Sequence, residues 1–375
     1  MKENRIAIIS PVDDAYSETF IQAHKNLLKG KVYFYYGTLA KQKLSGFGIL
    51  ENTWKKPFYK IQRNFFQKNY SWYYQQILLD SFKQNKIDVV LAEYGNTIGP
   101  YLPVLRKLNL PLIVHFHGYD ASILEVIEIN KSYKDIFEYA SFIIVVSRKM
   151  EEDILRLGCP RAKLIYNVYG PNDLFFNNQP DFLNLQFFAA GRFVDKKAPH
   201  YTILAFQKVI KEFPKAKLIM AGDGPLIYSC KNLVRFLGLE KNVLFVGVLD
   251  QKKMSKYLEK SLAFVQHSVR TEYGDMEGTP LTILEASAAA LPVISTRHGG
   301  IVDIIKENKS GFLVNEHDVE GMAKSMRKLL CNNKLAKEMG EKGRGIIKNS
   351  FTLSRHISVL NDLLYEVKKQ DKSIK

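Results

Sequence analysis

Ser261-Leu262-Ala263-Phe264-Val265, then Thr271-Glu272-Tyr273-Gly274-Asp275-Met276-Glu277-Gly278-Thr279-Pro280-Leu281-Thr282-Ile283-Leu284-Glu285-Ala286, then Pro292-Val293-Ile294-Ser295, is the stretch that decides the fold class. A short apolar run, a loop, a helical pattern over 280–289 and a second β-branched run make one β-loop-α-β unit. Gly278-Thr279-Pro280 reads as the loop turning into the helix, with Thr279 as N-cap and Pro280 in the first helical position. A helix start of this kind is a ready site for a diphosphate. Glu277 stands in the loop before it, where a carboxylate accepts from sugar hydroxyls. Glu285 falls about one and a half turns into the helix, within reach of a ribose.

Working outward, the same rhythm fills the chain. Strand-like runs at 6–10, 32–36, 88–91, 112–116 and 142–146 alternate with helical patterns at 20–28, 73–82, 101–108 and 148–157. The rhythm then restarts, with strands expected at 185–190, 216–221, 243–246, 261–265 and 292–295 and helices at 200–213, 225–237 and 280–289. Alternation of this type implies parallel sheets with helices on both faces. Turn formers at Tyr169-Gly170-Pro171-Asn172-Asp173 and Asn177-Asn178-Gln179-Pro180 mark a linker. The expected domains are 1–175, 176–350 and a C-terminal helix with tail at 351–375, the first two Rossmann-like and facing one another across a cleft.

Composition narrows the class further. At 375 residues, 46% hydrophobic and 25% charged, the chain has room for two cores and is not a disordered or collagen-like polymer. Cys159, Cys230 and Cys331 form no CxxC pair, so reduced thiols are expected and neither a zinc site nor a disulfide framework. Met1-Lys2-Glu3-Asn4-Arg5 leads into an apolar run from Ile6 to Ile9, shorter than a signal peptide needs, and no run reaches transmembrane length. A formal charge of +16 predicts an anionic partner: nucleic acid, lipid headgroups or a phosphorylated substrate.

The residues from Glu277 to Glu285, followed by Ala286-Ser287-Ala288-Ala289-Ala290-Leu291-Pro292 and by His298-Gly299-Gly300-Ile301, resemble the signature of glycosyltransferase family 4. That resemblance implies the GT-B fold, with the C-terminal helix packing back toward the N-terminal domain, and retaining transfer from a nucleotide sugar. Leu291 stands where the family usually has glycine, a departure expected to affect packing. Ala190-Gly191-Arg192-Phe193-Val194-Asp195-Lys196-Lys197 resembles the family's pyrophosphate-gripping segment; by spacing those roles fall to Arg192 and Lys197, with Lys196 as the alternative register. Gly222-Asp223-Gly224-Pro225 resembles a donor-side turn, and His117-Gly118-Tyr119-Asp120 an element that places His117 on the donor sugar with Asp120 supporting its loop. The resemblance covers the second half well and the first half loosely. The loop after the first strand, from Ser10 to Phe20, lacks the family's glycines. Its Ser17-Glu18-Thr19-Phe20 is similar instead to relatives that build surface polysaccharides.

Residues 52–75 hold both tryptophans of the chain and no acidic residue. Trp54, Lys55, Lys56, Arg63 and Trp72 are the candidates here for meeting a membrane or acceptor, because rings with interleaved cations suit an anionic lipid interface. No nucleic-acid motif accompanies them, so nucleic acid is not an expected partner.

Together these readings predict a metal-independent hexosyltransferase. Glu277, His117, Arg192 and Lys197 are its catalytic candidates. Arg192, Lys197, Gly278, Thr279, Leu281, Glu285, Gly222 and Gly224 are its donor-binding set. No cofactor is expected, the nucleotide sugar (UDP- or GDP-linked) being a co-substrate. The acceptor is expected to be a glycan, lipid-linked, in bacterial capsule, O-antigen, lipopolysaccharide or exopolysaccharide synthesis at the inner face of the cytoplasmic membrane. The competing readings are a GT-B sugar epimerase or sugar-phosphate synthase, and a non-enzymatic binder of anionic polymers. A dinucleotide oxidoreductase is disfavoured, since no Gly-x-Gly-x-x-Gly follows the first strand.

Overall fold

A computed structural model describes residues 3–13, 18–50 and 55–373. The chain divides into two compact units. The first comprises Met1–Val146, Met150–Asn167 and Ile357–Lys375; the second comprises Ser147–Lys149 and Val168–His356. The division falls at Asn167, ahead of the turn-rich linker expected near 175. Val168, Tyr169 and Phe175 are buried residues of the second unit: the Arg355 guanidinium donates to the Val168 carbonyl at 3.2 Å, and the Tyr169 and His356 rings meet at 5.8 Å.

The first unit is built on strands β1 (Arg5–Ser10), β2 (Lys31–Tyr36), β3 (Lys43–Leu44), β4 (Gly48–Ile49), β5 (Val89–Glu93), β6 (Leu112–His115), β7 (Phe142–Val145) and β8 (Leu164–Tyr166), in the order β4-β3-β2-β1-β5-β6-β7-β8. β1 pairs in parallel with β2 and β5, Ile6 lying opposite both Val32 and Val89. Ile6–Ile9, Val89–Ala92 and Leu112–Val114 are wholly buried, as strands must be when helices cover both faces. The antiparallel β3 and β4 and the short β8 lack runs long enough to read from sequence.

The second unit's sheet has the order β11-β10-β9-β12-β13-β14 and is parallel throughout: β9 (Gln186–Ala190), β10 (Lys217–Ala221), β11 (Val243–Gly247), β12 (Ala263–Gln266), β13 (Val293–Thr296), β14 (Gly311–Val314). Phe187, Phe206, Leu218, Val265, Met322 and Met326 are among its core, each such side chain contributing about 1.5–3 kcal/mol on burial. The helix after β12 spans Leu281–Ala288, one residue shorter at its start than expected. Pro280, not Thr279, is its N-cap, with extended backbone at ψ 116°, and the Pro280 carbonyl accepts from the Ile283 N–H. Because Pro280 itself has extended backbone, Leu281 is the first residue in helical conformation.

The C-terminal helix, Leu353–Ser373, packs on the first unit from Ile357 onward. Leu360, Leu364 and Val367 are buried, and Lys368 Nζ lies 2.8 Å from Asn4 Oδ1 and 3.0 Å from Asp88 Oδ2. In both units the strand order reverses at one place, between β1 and β5 and between β9 and β12. Open parallel sheets bind ligands beyond the carboxyl ends of the strands at such points.

Candidate active site

β9 ends at Ala190, and the chain turns through Gly191 and Arg192 into a single 3-10 turn, Asp195–Lys197, before the helix Pro199–Ile210. Consecutive residues of a 3-10 turn point about a third of a revolution apart, so the two lysines part company. Lys197 Nζ lies 3.0 Å from Glu277 Oε1 and 3.4 Å from Gln266 Oε1. Lys196 is buried and turns to Asp275 at 2.9 Å. Arg192 is exposed. With Gly191, Phe193, Lys197 and Gln266 it lines an open hollow.

Glu277 is buried in the loop that precedes the Leu281–Ala288 helix. Burial pushes its carboxyl up, but Lys197 and then Lys196 outweigh this and hold it at about 2. Burial likewise pushes Lys197 below the ordinary lysine range, against the pull of Glu277. The Glu277 N–H donates to His298 Nε2 at 3.0 Å, so that nitrogen carries no proton, and His298 Nδ1–H donates to Glu316 Oε1 at 2.6 Å. Gly300 N–H donates to the Gly278 carbonyl at 2.7 Å. A side chain at Gly299, whose φ is +48°, would run into the Glu277 carbonyl. His298-Gly299-Gly300 therefore forms the bed on which Glu277 and Gly278 lie.

Gly222 and Gly224, with φ of +124° and +151°, let the turn after β10 lie against the Gly191–Phe193 loop; a Cβ at either would strike that backbone. Glu285 is 4% exposed, and burial raises its carboxyl to about 8. Leu281 and Thr282 open the helix, and Thr282 Oγ1 donates to Gln266 Oε1 at 3.3 Å. Sequence reasoning missed Gln266, His298's role and Glu316. The signal for Gln266 was a buried polar residue ending the apolar strand β12.

In the first unit, His117 follows β6. Its backbone N–H, with those of Gly118 and Gly95, donates to the Asp120 carboxylate, at 2.9, 3.2 and 2.7 Å. Its ring is nearly enclosed, with Nε2 at 2.8 Å from Glu93 Oε2, and Glu93 Oε1 meets His24 Nδ1 at 2.7 Å. No motif singled out Glu93 or His24. Burial pushes the Glu93 carboxyl up, but His24 and His117 hold it at about 2.

In the basic aromatic segment, Trp54 lies outside the described residues. Trp72 packs with Tyr59, Tyr73 and Ile77, and Lys55 pairs with Asp80 at 3.0 Å. Lys56 is half-buried, and the Arg63 guanidinium lies 3.8 Å from the centre of the Tyr70 ring. The outward apolar face is formed instead by Phe58, Ile61, Phe65 and Phe66 on and after the helix Lys56–Phe65, with Phe65 79% exposed. No described helix is long and apolar enough to cross a membrane.

The model for glycosyl transferases group 1 matches residues 175–346, and that for glycosyltransferase family 4 matches residues 48–169. Two glycosyltransferase models thus match consecutive stretches of the chain. Among curated relatives, the putative colanic acid biosynthesis glycosyltransferase WcaL of Escherichia coli is 28% identical over 64% of the chain and 61% of its own length. The amylovoran biosynthesis glycosyltransferase AmsK of Erwinia amylovora is 28% identical over 64% of the chain and 61% of its own length. The chain thus spans about three fifths of these relatives' length. The crystal structure of HepE from Anabaena with UDP-glucose superimposes with a TM-score of 0.73 at 13% identity, covering 98% of this chain and 99% of that one. Two Rossmann-like units of the GT-B type are the shared fold.

Proposed function

We propose that this chain is a glycosyltransferase that moves a sugar from a nucleotide-diphosphate donor, UDP- or GDP-linked, to a hydroxyl of a glycan acceptor in cell-surface polysaccharide synthesis. The observation that carries the reading is the pairing of Lys197 with buried Glu277 at the carboxyl end of the second sheet's switch point, beside exposed Arg192. A cation and a carboxylate set side by side suit the two halves of such a donor: Arg192 and Lys197 the diphosphate, Glu277 the sugar hydroxyls. Gly278, Thr279 and Leu281 bring backbone to the helix start, Gly222 and Gly224 let their turn lie against the Gly191–Phe193 loop, and Glu285 takes the ribose. His117, in the first unit, is assigned to the donor sugar.

Transfer proceeds with retention. The acceptor hydroxyl oxygen bonds to the anomeric carbon on the face the diphosphate leaves. The carbon–oxygen bond to phosphate breaks with its electron pair on phosphate, and the hydroxyl proton passes to a phosphate oxygen. Arg192 and Lys197 stabilise the charge growing on the leaving group, which replaces a divalent metal in that task. The acceptor is lipid-linked, and the exposed rings of 58–66 with their interleaved cations hold the protein to the anionic inner face of the cytoplasmic membrane.

The test is thermal denaturation of wild type and Arg192→Ala with UDP, GDP, ADP and CMP. A ligand at ten times its Kd contributes about 1.4 kcal/mol, a readable shift in Tm. The reading expects one diphosphate to raise Tm in wild type and not in the variant, and that nucleotide's sugars to be turned over only with acceptor present. No shift with any nucleotide sinks it, and turnover of free nucleotide sugar without acceptor replaces it with an epimerase.

A further inference from the structure

Glu277 sits near the end of a loop that leaves β12 at Gln266 and meets the next helix only at Leu281. Glu272 and Tyr273 are exposed on the way, whereas Glu277 is buried. The loop's own bonds close its tip. Thr271 N–H donates to the Asp275 carbonyl at 3.2 Å, Gly274 N–H to the Thr271 carbonyl at 2.9 Å, and Asp275 N–H to Thr271 Oγ1 at 2.9 Å. These bonds stop short of Glu277.

A row of buried polar side chains at the end of β13 takes over there. Val293 and Ile294 are apolar, but Ser295 Oγ donates to the Gln266 carbonyl at 2.7 Å and Thr296 Oγ1 to the Ser268 carbonyl at 2.6 Å. His298 Nε2 then accepts from the Glu277 N–H at 3.0 Å. Each of the three satisfies a backbone group of the neighbouring segment. Behind His298 stands Glu316, just beyond β14. Burial pushes its carboxyl up, but the His298 ring and the Arg270 N–H outweigh this and hold it below the ordinary carboxylate range. An ionised carboxylate only accepts. His298 Nδ1–H donates to Oε1 at 2.6 Å, and Arg270 N–H to Oε2 at 2.8 Å. One side chain thus serves the loop on both sides of its tip.

We propose that Glu316 is a positioning residue for Glu277: its carboxylate clasps both ends of the 270–277 loop, Arg270 directly and Glu277 through His298, and so holds the Glu277 carboxylate against Lys197. This rests on the proposed function, in which Lys197 takes the donor diphosphate and Glu277 its sugar. A loop loosened at Glu277 holds Lys197 less well and leaves that cation freer for a diphosphate.

The test joins hydrogen exchange, read by mass spectrometry, to calorimetric titration with UDP and GDP, all on the full chain. Glu316→Ala is expected to speed exchange of the Arg270 and Glu277 amides about tenfold or more, and His298→Leu that of Glu277 alone. His298→Gln, whose amide oxygen can stand in for Nε2, is expected to restore protection at Glu277. The diphosphate that binds wild type is expected to bind Glu316→Ala about 2- to 10-fold more tightly, a gain that vanishes when Glu277→Gln is already present. Weaker binding in both backgrounds indicates a damaged site and overturns the proposal. Unchanged exchange at Glu277 in Glu316→Ala also overturns it, while UDP or GDP binding leaves the functional reading standing. A wild type that binds neither diphosphate fails that reading and removes the positioning role with it, whatever exchange shows. ¹⁵N-histidine spectra of wild type, with His298 assigned from His298→Gln, require no variant at Glu316 to fold. They are expected to show His298 protonated at Nδ1 alone, and a proton on Nε2 overturns the clasp.

Discussion

At the scale of single residues, the candidate donor site is a set of mutual constraints. Lys197 and Glu277 satisfy one another, and on the proposed function a diphosphate competes with Glu277 for the lysine. Glu277→Gln is therefore expected to bind nucleoside diphosphate at least as tightly as wild type by calorimetry, while kcat falls about 100- to 1,000-fold through loss of the contact to the reacting sugar. A weakened diphosphate Kd would contradict the competition. Glu285 makes a prediction of the opposite kind. Its folded carboxyl is raised to about 8 by burial alone, so between the ordinary carboxylate range and pH 8 the folded state holds a proton that the unfolded chain has lost. The associated stability is complete below the unfolded pKa and declines as pH rises through about 8. Glu285→Gln is expected to gain Tm over wild type increasingly from pH 5 to 8.5. If Glu285 serves the ribose, the variant also binds nucleotide more weakly.

At the scale of elements, the loops and the exposed helix matter most. The helix Lys56–Phe65 presents Phe58, Ile61 and Phe65 outward in a segment with no acid, and at a lipid surface each cation contributes on the order of 1 kcal/mol. Serine at all three positions is expected to cut sedimentation with anionic vesicles at least tenfold, with Tm unchanged because the three side chains are solvent-facing. Equal sedimentation of both proteins with anionic vesicles would rule this face out. Sequence reading found this segment by composition but chose Trp72, which the tertiary structure turns inward against Tyr59 and Ile77. Composition counts rings; only packing says which side of a helix faces a neighbour. The helix at Leu281 was legible to within a residue, since Gly, Pro and apolar spacing are local signals.

At the scale of the whole molecule, the chain closes on itself. Ile357–Lys375 completes the first unit although it follows the second in sequence, burying Leu360, Leu363, Leu364 and Val367. Deleting 357–375 is expected to lower the first unit's melting transition or render the chain insoluble, each buried leucine contributing about 1.5–3 kcal/mol. The second unit should keep its nucleotide-dependent Tm shift. Calorimetric scans with and without nucleotide check this. An unchanged first-unit transition would mean that the helix is dispensable.

The amino-acid sequence by itself determined the α/β alternation, the restart that makes two units, and the Glu277-to-Glu285 spacing across a helix start. All three depend on neighbours a few positions apart, which the order of residues states directly. Only the tertiary structure decided that Lys197 and not Lys196 meets Glu277, that His298 and Glu316 hold that loop, and that Glu93 joins His24 to His117. Those residues are brought together by strand order and by which way each side chain leaves its element. A shift of one position in a strand or 3-10 turn reverses such a choice without altering any local pattern.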